Sequence, residues 1–91
     1  MIPLKITKDH IRQAAQQIDD EGVPKGREAR KYHVIVNGKY YPLKYIVSKA
    51  KEYANGEELS PYAFTAPQAL RFLKKLDFKI IPIEFGRMTW E

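Results

Sequence analysis

Asn37-Gly38 separates two short runs of β-forming residues, Tyr32-His33-Val34-Ile35-Val36 and Lys39-Tyr40-Tyr41. Asn-Gly flanked in this way is the strongest short-range hairpin signal, because both positions of a two-residue type I′ turn need positive φ. A two-residue loop sets the register without further choice. Val36 faces Lys39, Ile35 faces Tyr40 and Val34 faces Tyr41. Tyr32, Val34, Val36, Lys39 and Tyr41 then share one side of the ribbon, and His33, Ile35 and Tyr40 share the other. A lone hairpin is only marginally stable in water, so the rest of the chain must supply a cover for its apolar side.

The flanking residues supply one. Upstream, Thr7 is placed to cap a helix with Asp9 in its first turn. Ile11, Ala14, Ala15 and Ile18 recur at helical spacing, predicting a helix from about Lys8 to Asp20, ended by Gly22 and Pro24. Downstream, Pro42 stops the second strand and suits the first turn of a helix. Leu43, Ile46, Val47, Ala50 and Ala54 continue it from about Leu43 to Asn55, with Gly56 at its C-terminus. On this helix Lys44, Ser48 and Lys51 read as one outward stripe. Residues Glu57 to Thr65 form a loop, with a single turn at Ser60-Pro61. Thr65 caps a third helix carrying Ala69, Leu70, Leu73 and Leu76, and Phe78 to Ile81 form a last short strand pairing with the hairpin. The order α-β-β-α-α-β predicts an α+β domain with a small, mainly antiparallel three-stranded sheet and about three helices on one face. The expected division is a single domain over 1–82 and a C-terminal extension or linker over 83–91.

Ninety-one residues suffice for one core, and a chain this short buries only about 60–65% of its unfolded surface. The absence of cysteine excludes disulfide staples, thiolate metal sites and cysteine nucleophiles. No apolar run approaches the roughly 18 residues of a membrane span, and the residues after Met1 lack the apolar core of a signal peptide. A cytoplasmic protein is expected, with no membrane partner.

The net charge of +5 is unevenly distributed. From Lys25 to Lys51 there are eight basic residues and one acid, Glu28, a net +7; the remainder is net negative. Concentrated positive charge attracts polyanions and speeds their encounter. The segment Lys31 to Lys51 also interleaves lysine with tyrosine. Lysine and arginine neutralise phosphates, and tyrosine stacks on exposed bases. Arg30, Lys31, Lys39, Lys44, Ser48 and Lys51 are therefore candidate phosphate contacts. Tyr40, Tyr41 and Tyr45 are candidates beside the base or sugar. A small domain must also use some tyrosines as core: Tyr32 or Tyr41 belongs inside with Val34, leaving Tyr40, Tyr45 or both at the surface. Phe64, Phe72 and Phe78 suit the core, and Trp90 suits packing against the domain.

Catalytic constellations do not emerge. His10 and His33 have no zinc-ligand spacing, and no glycine-rich phosphate loop or GxSxG is present. Asp19-Asp20-Glu21 is a carboxylate cluster at a helix end. A non-enzymatic chain without cofactor, metal or small-molecule substrate is expected.

Four stretches carry a family likeness: an opening helix ending in IDDEGVP, then KYHVIVNGKYYPLKYIVSKA, LSPYAF and ALRFLKKLDFKII. Over about Ile6 to Ile81 the chain resembles the N-terminal head module of modification-dependent restriction proteins of the Mcr type, particularly those related to ScoMcrA. The step Tyr41-Pro42 with Lys44 is its most specific element. The chain departs from that pattern after Phe64, where it has Thr65-Ala66-Pro67. The resemblance implies a DNA-specificity module that reads a modified base such as 5-methylcytosine or N6-methyladenine. It also implies that cleavage belongs to a nuclease or a McrB-like GTPase domain in the same or a partner chain. A protein-interaction domain with a basic face and a single-stranded RNA binder are the alternative readings.

Overall fold

The computed structural model describes residues 5–29, 31–60 and 62–83. Arg30, the Pro61 position and the expected extension with Trp90 lie outside them, except Ile83. The elements are α1 (Lys8–Glu21), β1 (Tyr32–Val36), β2 (Lys39–Pro42), α2 (Leu43–Asn55), α3 (Ala66–Lys75) and β3 (Lys79–Pro82). This is the α-β-β-α-α-β order that the patterning predicts.

Local chemistry fixes each boundary. Thr7 and His10 form a reciprocal cap on α1: the Thr7 N–H donates to His10 Nδ1 at 3.0 Å and the His10 N–H donates to Thr7 Oγ1 at 3.4 Å. Thr65 and Gln68 do the same for α3 at 2.9 and 3.2 Å. Thr65-Ala66-Pro67 is thus a helix start, with Pro67 in the first turn where a missing N–H costs nothing. Asn37 and Gly38 both take positive φ, 52° and 80°, as a type I′ turn demands.

The strand register is the expected one, Val34 opposite Tyr41, Ile35 opposite Tyr40 and Val36 opposite Lys39. β3 pairs antiparallel with the other edge of β1, giving the order β2-β1-β3. It begins one residue later than the apolar run suggests. The α3 terminus explains this: the Phe78 N–H donates to the Leu73 carbonyl at 3.1 Å and the Asp77 N–H to Lys74 at 2.9 Å. That is a Schellman closure, with Asp77 left-handed at φ 72° where glycine is usual. Phe78 therefore still belongs to the helix end.

The core lies between the Val34–Val36–Tyr41 side of the sheet and the helices. Ile11, Ala14, Ala15 and Ile18 of α1 meet Ile46, Val47 and Ala50 of α2, with Phe64, Ala69 and Leu73 closing it. The other side of the sheet is more open: Tyr40 is 61% exposed and stacks on His33 with ring centroids 5.8 Å apart.

Candidate nucleic-acid interface

Strand β2 passes into helix α2 with no intervening loop: Pro42 ends the strand and occupies the N-cap of the helix. Unlike α1 and α3, α2 has no side-chain cap. A cleft of about 450 Å³ opens where α2 begins. Its apolar lining comes from Ala29, Tyr32, Pro42, Leu43 and Ala66, and its charged lining from Arg27, Lys31, Lys44 and Glu28. Tyr62 stands at it with 96% of its surface exposed. Three cations thus face one carboxylate, and the Gly26 N–H donates to that carboxylate, Glu28 Oε1, at 2.9 Å.

Arg27 holds one wall. Its guanidinium lies 4.9 Å from the Tyr45 ring centroid, donates to Ser48 Oγ at 3.0 Å and donates to Glu58 Oε2 at 3.2 Å. These bonds pin the segment after α1 onto the flank of α2. The Lys44 Nζ lies 4.9 Å from the Phe64 ring centroid. Burial, then the charge of Arg27, lowers the Lys44 pKa from its ordinary value. Two cations held close together in a partly dry site favour a bound anion.

The outward stripe expected on α2 is corrected by the structure. Ser48 has no exposed surface. Its hydroxyl accepts from Arg27 and its carbonyl accepts from the Leu59 N–H at 3.2 Å. The physical reason is that α2 is covered on three sides, by α1, by the sheet and by the connections that carry Arg27 and Leu59. Tyr45 is buried for the same reason, and burial raises its pKa. Tyr41 is buried under the sheet. Its hydroxyl donates to Asp19 Oδ1 at 2.8 Å, and burial with that bond pushes its pKa up to about 12. Tyr41, Tyr45 and Ser48 thus lie beneath the surface, and none of them lines the cleft.

The remaining described candidates divide by their surroundings. Lys31 and Lys44 line the cleft. Lys39 lies 3.4 Å from Asp19, and Lys51 donates to Asn55 Oδ1 and to the Glu57 carbonyl at 3.1 and 3.3 Å. Tyr40 belongs to the open sheet face. Lys49 joins none of these groups. Burial works against its charge, but bonds to Glu52 and Glu58 outweigh it and raise its pKa. Acids from outside the basic segment therefore fold back onto part of it, and the charge segregation along the chain is smaller in space.

Arg27 and Tyr62 are the residues that spacing alone did not single out. Arg27 is one of eight cations in its segment, and its partners Ser48 and Glu58 lie 21 and 31 residues away. Tyr62 carried a local signal: an aromatic just after Ser-Pro in a tight turn, where the Ala63 N–H donates to the Ser60 carbonyl at 3.0 Å, has few ways to reach a core.

Among the described residues, no three His, Asp or Glu side chains are placed to hold a metal ion. No described helix is long and apolar enough to cross a membrane.

Fold and cleft together define a small α+β module with a basic, aromatic-edged recess and a short three-stranded sheet. The chain belongs to the ScoMcrA-like N-terminal head domain family, whose pattern matches residues 4–82. No curated protein and no solved structure matches it.

Proposed function

We propose that this chain is a non-catalytic DNA-binding specificity module of a modification-dependent restriction system. In this reading it acts in the cytoplasm on DNA carrying a methylated base, 5-methylcytosine or N6-methyladenine. Cleavage falls to a nuclease or GTPase domain in the same or a partner chain. The observation that carries the reading is the convergence of Arg27, Lys31 and Lys44 on one cleft, in a member of a family named for a restriction protein's head.

The phosphate contacts are Lys31 and Lys44, with Arg27 adding positive potential from the wall and Arg30 adding charge from the same connection. Lys39, Tyr40 and Lys51 are outlying contacts reached along the duplex. Tyr41, Tyr45 and Ser48 act indirectly, by holding the β2–α2 junction and Arg27 in place.

The test is binding to duplexes of one sequence, unmethylated, 5-methylcytosine-bearing or N6-methyladenine-bearing, across a salt series. Two neutralised phosphates, at Lys31 and Lys44, give a slope of log K against log salt of about −2, steeper where Lys39 and Lys51 also reach the duplex. Affinity that ignores salt, or no affinity at low salt, sinks the DNA reading. Equal affinity for all three duplexes removes only the methyl specificity.

The open sheet face favours a second reading. The stacked His33–Tyr40 pair, beside Ile35, offers an aromatic surface of the kind protein partners use. A protein-interaction module would lose nothing on Lys31→Ala and Lys44→Ala substitution but would lose its partner on Tyr40→Ala.

A further inference from the structure

The cleft is too small to enclose a duplex and has two chemically distinct parts. Its apolar lining, with Tyr32 and Leu43, suits a flat uncharged ring, whereas Arg27, Lys31 and Lys44 suit an anion. Its volume, about 450 Å³, falls in the ~300–1,000 Å³ range of sites that enclose small ligands. Tyr62 is the most exposed large apolar side chain among the described residues. An aromatic ring in water beside an apolar recess is a stacking surface, and Tyr62 has no ring partner among the described residues.

We propose that this cleft receives a single extrahelical DNA nucleotide, its base stacked on Tyr62 and its phosphate held among Arg27, Lys31 and Lys44. The inference rests on the DNA-binding reading and deepens it. A ring stacked on Tyr62 lies beside the apolar lining, while the attached phosphate reaches the cations. A base leaves the duplex at an unstacking cost that is least where it is already unpaired. The module therefore prefers DNA with a displaced base even without any base-edge contact.

The experiment uses the 91-residue chain and two fluorescein-labelled duplexes of the same sequence, one fully paired and one with a single bulged nucleotide. Anisotropy titrations give both affinities. The bulged duplex binds roughly tenfold more tightly, the scale of one base–aromatic stack. Tyr62→Phe keeps the preference, and Tyr62→Ala abolishes it while binding to the paired duplex persists. Tyr62 is solvent-exposed, so its loss leaves the core intact. Tyr53→Ala, an exposed position on α2 that does not line the cleft, leaves the preference unchanged. Equal affinity for the two duplexes overturns the inference, as does a preference that survives Tyr62→Ala or is lost with Tyr53→Ala. In each of those cases the DNA-binding reading stands. Binding to neither duplex overturns the reading and the inference together.

Discussion

Tyr41 is buried, and its hydroxyl donates to Asp19, near the C-terminus of α1, in a partly buried bond. The folded state therefore prefers the protonated phenol, which can donate, over a phenolate facing a carboxylate. Its pKa rises from 10 to about 12. Below pH 10 the phenol is protonated in both folded and unfolded chains, and the stabilisation is fully present. Between pH 10 and about 12 the unfolded chain loses the proton first, so stability falls as pH rises through that window. Urea titrations at pH 9 and pH 11 are expected to show this loss, and Tyr41→Phe to reduce it. At neutral pH Tyr41→Phe costs about 1 kcal/mol, below the roughly 1.5–3 kcal/mol of a bond to a charged group, because Asp19 keeps Lys39 and water. Ser48→Ala has a comparable cost, about 1 kcal/mol, and weakens DNA binding less than Lys44→Ala, since Ser48 reaches the cleft only through Arg27.

At the level of elements, the turn and caps make separable predictions. A side chain at Gly38 meets no atom within 4 Å, so Gly38→Ala tests the backbone alone. Its left-handed φ predicts a loss of about 1 kcal/mol, read as a lower thermal midpoint with unchanged far-UV dichroism. Asp77→Gly runs the opposite way. It relieves the same penalty at the end of α3 and raises stability by roughly 0.5–1 kcal/mol. Most of this layer was legible in the sequence: the Asn-Gly turn, its register, the threonine caps and the apolar stripes of α1 and α2 all depend on neighbours a few residues apart. The β3 start was one residue late because a Schellman closure with aspartate gives no glycine signal. The misread face of α2 has a different origin. Ser48 is a polar residue at an outward phase, and its burial depends on Arg27 and Leu59, which only the tertiary fold brings to it.

At the level of the whole molecule, charge behaves differently along the chain and in space. The +7 segment suggests one broad basic surface, yet Asp19, Glu52 and Glu58 return to pair with Lys39, Lys49 and Arg27. Sequence statistics counted the cations correctly and had no access to these long-range pairings. The candidate site was accordingly half legible: Lys31 and Lys44 were in view, while Arg27's pinning role and Tyr62 were not. The predicted consequence is an uneven charge map. Lys31→Ala and Lys44→Ala each reduce the salt slope of DNA binding by about 1 unit. Lys49→Ala leaves the slope near its original value and lowers stability instead.

The direct passage from Pro42 to Leu43 also governs which changes of length the module tolerates. A helix turns about 100° per residue. One residue inserted at that seam would rotate all of α2, turning Ile46 and Ala50 off α1 and carrying Lys44 away from the cleft. Insertions near Gly26 or Gly56 would lengthen a connection and leave every packed face in register. Length variation is therefore expected around the recess, in the segments that shape its mouth, while the seam at its base keeps its residue count.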